Sequence, residues 1–145
     1  YVAKNISSFI DFRNIKFYNS LKYWKPIKPY KKTLVIKKNN FYILKSKEKI
    51  RIPKNLAGEM IAYDTSIGDF RVHYAGFFDP GFGDPNGSFA VLEVKTNELP
   101  FMIEDGQTIA RIKYEKLNKK TSMVYGASIE SNYQNQKLAL SKHFK

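Results

Sequence analysis

The chain has 145 residues, 43% of them hydrophobic and 26% charged, which is enough for one domain with its own core. Aromatic residues make up 15%, which excludes a disordered chain, and 25 basic against 13 acidic residues give a net charge of +12, which favours an anionic partner. No cysteine is present, so disulfides, a thiolate nucleophile and a cysteine-held zinc are excluded, and His73 and His143 are too few for a histidine cage within one chain.

The start, Tyr1-Val2-Ala3-Lys4-Asn5, has no apolar stretch after its lysine and does not read as a signal peptide. It also lacks an initiator methionine, as expected of a trimmed chain or a piece of a longer one. Residues 1–30 read as an irregular N-terminal extension, extended and anchored by aromatics at Tyr23-Trp24-Lys25-Pro26 and Lys28-Pro29-Tyr30. Thr33-Leu34-Val35-Ile36 is the first strand candidate. The turn signal at Asn39-Asn40 predicts that Phe41-Tyr42-Ile43-Leu44 returns beside it as a hairpin. Lys49-Ile50-Arg51-Ile52 alternates and stops at Pro53. Asn55 to Ile61 is apolar and fits a strand or a single helical turn. Phe70 to Ala75 alternates again, and a loop rich in Gly and Pro follows from Gly76 to Gly87. Phe89 to Val94 is the strongest strand. Leu99 to Ile103 and Thr108 to Tyr114 are the last two, with a turn at Asp105-Gly106 between them. Many short strands predict an all-β fold: a barrel, sandwich or jelly roll. The polar stretch from Ser131 to Lys145 reads as a flexible terminus. No apolar run approaches the roughly 20 residues of a membrane span, so a membrane is not an expected partner.

Four of the 25 basic residues are arginine, leaving 21 lysines, scattered in pairs such as Lys37-Lys38 and Lys119-Lys120. Arginine, the usual reader of base edges, is scarce, and no dense basic stripe forms. Nucleic acid is therefore not the expected partner. A small polyphosphate fits the sign of the charge equally well.

The chemistry concentrates between His73 and Val94. Gly76, Gly81 and Gly83 allow sharp turns and close approach of backbone to a ligand. Pro80 restrains Asp79 to extended or turn geometry, which holds its carboxylate in place. Phe78 and Phe82 can supply flat apolar walls. In the following strand Phe89, Val91 and Glu93 share one face, because strand side chains alternate. A carboxylate among apolar neighbours is desolvated, which raises its pKa toward the range of a general base; the alternative is a strand carboxylate reaching solvent. His73 reads as a pocket-wall or interface residue rather than a catalyst. Lys95 and Arg111 are either phosphate partners or solvated strand residues.

The segment Ala75-Gly76-Phe77-Phe78-Asp79-Pro80-Gly81-Phe82, then Val91-Leu92-Glu93, Leu99-Pro100 and Asp105-Gly106-Gln107, resembles the core motifs of the dCTP deaminase and dUTPase superfamily. Tyr125 with Asn132-Tyr133-Gln134-Asn135-Gln136 is similar to that family's nucleotide-closing tail. Asp11 to Pro26 and Asn40 to Glu48 look like the C-terminal half of the long two-domain bacterial dCTP deaminase. The resemblance covers nearly the whole chain and treats residues 1–145 as one domain, with 122–145 as its closing tail.

The resemblance implies a distorted jelly-roll β-barrel of the dUTPase type, assembled as a trimer in the cytoplasm with sites between subunits. It implies zinc-independent deamination of dCTP to dUTP and ammonia, either by this chain alone or as one half of a two-domain enzyme. By position, Glu93 is the general base that activates water against C4 of cytosine. The Ala75 carbonyl positions that water. Backbone near Phe78 reads the pyrimidine, Asp79 meets the 3′-hydroxyl and Phe82 packs on the sugar. Tyr125 contacts phosphate and Gln136 the base. Mg²⁺ is expected only through the bound triphosphate. The rival functions are a dUTP diphosphatase, in which an aspartate activates water at phosphorus, and a non-catalytic nucleotide-binding or oligomerisation domain of a longer deaminase. Two positions depart from the family pattern. Ala62-Tyr63-Asp64-Thr65-Ser66-Ile67-Gly68 stands where family members carry an arginine-serine element, and Asn132 stands where short members carry a phosphate-gripping lysine. A second related domain is the expected source of the missing groups.

Overall fold

The computed structural model describes residues 1–62, 71–73, 76–97, 99–119, 121, 125–126, 138 and 140–145. Among them the chain forms β1 (Val2–Ala3), α1 (Ser20–Tyr23), β2 (Trp24–Lys25), β3 (Thr33–Ile36), β4 (Phe41–Ile50), β5 (Leu56–Ala62), β6 (Arg71–His73), β7 (Phe77–Phe78), β8 (Ser88–Lys95), β9 (Phe101–Glu104) and β10 (Ala110–Lys116). They build three antiparallel sheets, ordered β2-β1-β4-β8-β6, β10-β5-β7 and β3-β9. The mainly β fold expected from the short strands is the fold observed.

Alternation explains the central strand. Ser88, Ala90, Leu92 and Val94 of β8 are buried, while Phe89, Val91, Glu93 and Lys95 face outward, half-buried or exposed. The inward row meets Ile36, Tyr42, Ile52, Met60, Phe78 and Phe82 in one core. Each large aliphatic or aromatic side chain buried there contributes about 1.5–3 kcal/mol. A cavity of about 850 Å³ lies beside this core, with Leu44, Met60, Ala90, Leu92, Ile103 and Ile112 in its wall. The Lys47–Asp105 ion pair (3.2 Å) joins two segments of the same wall.

The hairpin expected from Asn39-Asn40 does not form. The turn itself is present: Asn39 sits at φ 60°, and Asn40 N–H reaches the Lys37 carbonyl at 3.3 Å. But Asn39 N–H bonds the Thr96 carbonyl (2.8 Å) and Lys37 N–H bonds the Tyr42 hydroxyl (2.9 Å). These contacts turn the chain into another sheet, so β3 pairs with β9 while β4 pairs with β1 and β8. Asn55 to Ile61 resolves as strand β5, without a helical turn. β7 was not expected inside a loop rich in Gly and Pro. Phe70, Tyr74 and Ala75 of the alternating run lie outside the described residues.

The two expected strands at Phe41–Leu44 and Lys49–Ile52 are largely one strand with an irregularity. Lys45 is opposite Val91 and Lys49 opposite Phe89, so residues 46–48 face Ala90 alone. Ser46 repairs the ladder. Its hydroxyl accepts the Ala90 N–H at 2.9 Å and donates to the Glu48 carbonyl at 2.6 Å. Ser46→Ala leaves a part-buried N–H without that partner and is expected to cost about 1–2 kcal/mol, or roughly 3–8 °C in melting temperature. Thermal unfolding beside a Ser8→Ala control checks this; equal melting points would show that water replaces the hydroxyl.

The end of the chain is docked, which corrects the expectation of a flexible terminus for its last residues. Lys16 and Phe17 N–H groups bond the Lys142 and His143 carbonyls at 2.9 and 3.0 Å, and Lys145 N–H returns to the Tyr18 carbonyl at 2.9 Å. The Phe144 ring packs against Tyr18, Tyr23 and Trp24. His143 is buried, and its Nδ1 donates to the Asn14 carbonyl at 3.0 Å. The aromatic anchoring expected of the first thirty residues is thus completed by the tail. Asn19 caps α1 through its side chain, which accepts the Leu21 N–H at 3.0 Å. Nearby, the Arg13 side chain bonds the Asp11 carboxylate and holds it below the usual carboxylate range.

Candidate functional site

The Asp79–Gly83 loop leaves β7 and is sewn to the strand end before Pro53. Ile52 N–H bonds the Phe82 carbonyl (2.9 Å), and Gly81 N–H bonds the Ile52 carbonyl (3.1 Å). Phe82 N–H closes the turn on the Asp79 carbonyl at 3.0 Å. Gly81 and Gly83 take φ of 91° and 75°, backbone that favours glycine. Asp84 extends the loop through an ion pair with Arg51 at 2.9 Å. The result is a braced turn with Asp79 exposed at its start.

Phe78 and Phe82 do not stand open as walls, contrary to the expectation from their types. They are 7% and 5% exposed, and their rings pack on each other with centroids 4.9 Å apart. Apolar burial outweighs display here, because Phe82 closes the core beneath the turn. Tyr125 joins the same group. Its N–H bonds the Pro80 carbonyl at 3.0 Å, and its ring lies 5.8 Å from that of Phe82. The fold therefore brings together four expected site residues: Phe78, Asp79, Phe82 and Tyr125. Ala75 and Gln136, and most of the Ala62–Gly68 stretch, lie outside the described residues.

Glu93 belongs to another sheet. It stands on the outer face of β8, between Ile43 of β4 and His73 of β6 in register. The expected face is confirmed: Phe89, Val91 and Glu93 share it. Of the two readings of its surroundings, a desolvated carboxylate or one reaching solvent, the second holds within this chain, since Glu93 is exposed. Its apolar neighbours Phe89 and Val91 are half-buried, and the Lys45 Nζ sits 4.1 Å from the Phe89 ring centre. A ligand or a second surface lying on this face would supply the desolvation that the chain lacks. None of Phe78, Asp79, Phe82, Glu93 and Tyr125 lines the 850 Å³ cavity, so the cavity and the motif residues are different places.

In register, β6 sets Arg71 beside Lys95 of β8. Among the described residues no three His, Asp or Glu side chains gather as a metal site, and no helix is long and apolar enough to cross a membrane.

Residues 1–144 match the family described as "2'-deoxycytidine 5'-triphosphate deaminase (DCD), C-terminal domain". Eleven chains of solved structures match as well. One is the crystal structure of 2'-deoxycytidine 5'-triphosphate deaminase from Agrobacterium tumefaciens, at 41% identity and a TM-score of 0.75. The match covers 83% of this chain and 37% of that one, so this chain spans well under half the length of that enzyme. A search of curated proteins gave no match.

Proposed function

The chain belongs to the 2'-deoxycytidine 5'-triphosphate deaminase family, in its C-terminal domain, and from that premise we propose that it carries the base of a zinc-independent dCTP deaminase. The reaction converts dCTP and water to dUTP and ammonia. The observation that carries this reading is Glu93, held outward at the middle of β8 with Leu92 buried behind it. The carboxylate takes a proton from water, and the resulting hydroxide attacks C4 of cytosine. The proton passes to N3, the second water proton goes to the amino group, and ammonia leaves as the C4 carbonyl forms. Each step needs a carboxylate that accepts and returns one proton.

The other roles follow by position. Asp79 accepts a hydrogen bond from the 3′-hydroxyl, and its exposure at the braced turn supports that role. Phe78 backbone reads the base, and Phe82, buried beneath the turn, supports Asp79 from the core side. The Ala75 carbonyl holds the water, the Tyr125 hydroxyl meets phosphate and Gln136 meets the base. Lys95, two residues along β8 from Glu93, is a cation suited to a triphosphate. Mg²⁺ comes with that triphosphate as part of the substrate, since hard cations prefer phosphate oxygens. The enzyme works as a trimer in the cytoplasm, with a related domain supplying the arginine and serines that Ala62–Gly68 lacks.

That lack favours a second reading, in which the domain binds nucleotide without turning it over. One experiment separates the readings. Incubation of the chain together with that related domain and dCTP is expected to release ammonia. Release of pyrophosphate from dUTP instead would favour a diphosphatase. Binding of dCTP, dUTP or dTTP with no turnover, seen by calorimetry, would favour the non-catalytic domain.

A further inference from the structure

Residues 9–24 sort their aromatic side chains into two groups. Tyr18, Tyr23 and Trp24 pack with Phe144, which closes their cluster from the docked end of the chain. Phe9, Phe12 and Phe17 stand outward at 85%, 77% and 60% exposure, and Ile15 between them is exposed as well. These four form one patch. The Phe12 ring lies 5.2 Å from that of His143, and the Phe17 N–H bonds the His143 carbonyl at 3.0 Å, so both flank the same residue. Phe9 is three residues from Phe12, at most about 11 Å of chain. The backbone beneath the patch is braced. Asp11 N–H bonds the Tyr18 hydroxyl at 2.7 Å, Asn14 N–H the Asp11 carbonyl at 3.1 Å and Lys16 N–H the Lys142 carbonyl at 2.9 Å. The border is cationic. Lys16 sits between Ile15 and Phe17, Lys22 follows on α1, and the Lys145 Nζ lies 6.0 Å from the Phe17 ring centre; all three are exposed. Asp11 is the one acidic side chain among residues 1–30 and 140–145, and the Arg13 side chain takes both its oxygens.

We propose that Phe9, Phe12, Ile15 and Phe17 are the docking surface for a second protein domain, one that presents an apolar face bordered by aspartates and glutamates. It rests on the reading above, in which a related domain supplies an arginine and serines. Area, charge and position point to this occupant. The three rings alone expose on the order of 400 Å² of apolar surface, a size that marks an interface on a soluble chain. That is about half of the roughly 800 Å² that each partner buries in a standard interface, so the patch suits its centre and the lysines its rim. A second copy would bring the same cationic border against itself, and a net charge of +12 adds to that repulsion. An acidic border pairs with it instead. The matched family is a C-terminal domain, and well over half of the matched Agrobacterium enzyme lies outside the match, so the chain of that relative continues beyond the equivalent of this domain. The patch also leads into α1 and β2, and β2 is the edge of the sheet that carries Glu93. Three strand spacings, about 14 Å, separate β2 from β8. A domain of about 100 residues is large enough to sit on the patch and reach the face where Glu93 is exposed.

Calorimetry tests the surface, with the portion of the Agrobacterium tumefaciens enzyme outside the match as the probe, shown to be folded by its cooperative thermal unfolding. Binding is expected that weakens as salt is raised and falls about tenfold or more when Phe12→Ser and Phe17→Ser are combined. No binding, binding that ignores the two substitutions, or binding that strengthens with salt overturns the proposal. The chain by itself provides a second check. The double variant is expected to melt within about 2 °C of the parent, because outward rings do not hold this chain's own core. A fall of about 5 °C or more would assign the rings to that core and overturn the proposal. Sedimentation of the chain by itself is expected to give the same mass with and without the two rings. A larger mass in the parent than in the variant makes a second copy the occupant. Pelleting with phosphatidylserine–phosphatidylcholine vesicles, lost in the variant, makes it a lipid surface. Either result overturns the proposal. Ring-dependent binding in a mixture that releases no ammonia from dCTP leaves the docking surface standing and rejects the second domain as the source of the missing groups, so the two failures are distinguishable.

Discussion

Glu93→Gln is expected to reduce ammonia release from dCTP by about a thousandfold or more while dCTP binding stays within about threefold. Glutamine has the same shape and keeps one acceptor oxygen, but it cannot take a proton from water. General base catalysis of this kind is worth roughly 10²–10⁴-fold, and in the proposed reaction the same carboxylate acts at attack and at departure of ammonia. The substitution is also structurally mild. Glu93 is exposed, and the strand that carries it is held by its buried neighbours Leu92 and Val94. A fall in kcat with unchanged affinity marks a group used in the transition state rather than in binding. An ammonia assay and calorimetry with dCTP check the two halves. Turnover near the parent rate would remove Glu93 from the mechanism.

Gly83→Ala is expected to be the most damaging small substitution, lowering stability by about 3–5 kcal/mol and the melting temperature by roughly 10 °C or more. Gly83 sits at φ 75°, where a side chain costs about 1–2 kcal/mol by itself. A Cβ there would stand 2.1 Å from the Ile50 carbonyl oxygen and 2.9 Å from the Ser88 nitrogen. Both are backbone atoms, one at the end of β4 and one at the start of β8, so neither can swing aside. The loop must move, and Asp79, whose carbonyl closes the turn on Phe82, moves with it. Gly106 gives the contrast. Its φ is 88°, yet the nearest atom to an added Cβ is the Lys47 Nζ at 3.9 Å. Gly106→Ala should therefore show only the conformational cost, about 1–2 kcal/mol. Thermal unfolding of both variants tests the distinction. Equal losses would mean that the close approach at Gly83 carries no energy.

Particular elements show what could be read from residues alone. β8, β3 and the Asp105-Gly106 turn were legible, because alternation and turn chemistry are local properties. Strand partners were not. Whether β3 lies beside β4 or β9 depends on the Asn39–Thr96 bond, which joins distant residues, and on the Lys37 N–H being turned onto the Tyr42 hydroxyl rather than a backbone partner. The irregularity at Ser46 looked like a gap between two strands, since a serine hydroxyl replacing a ladder bond leaves no pattern. The docked end was hidden because Phe144 and His143 gain their meaning only beside Tyr18, Tyr23 and Asn14.

The candidate site was legible as chemistry and less so as geometry. Asp79-Pro80-Gly81 and Leu92-Glu93 stood out by residue type and carried the family resemblance. The rings of Phe78 and Phe82 were read as ligand walls, yet an aromatic in a tight glycine loop can face core or solvent, and here both face core. The alternation of β8 left Glu93 either desolvated among Phe89 and Val91 or reaching solvent, and it reaches solvent. The cross-strand pairs His73–Glu93 and Arg71–Lys95 needed the register, which depends on how a short strand docks against a long one.

The central claim is that this domain helps water attack carbon rather than phosphorus. Turnover in water labelled with heavy oxygen tests it most directly. Mass spectrometry of the products is expected to find one heavy oxygen on the uracil ring of dUTP, at the position vacated by the amino group. Heavy oxygen in phosphate or pyrophosphate, with an unlabelled ring, would contradict the account.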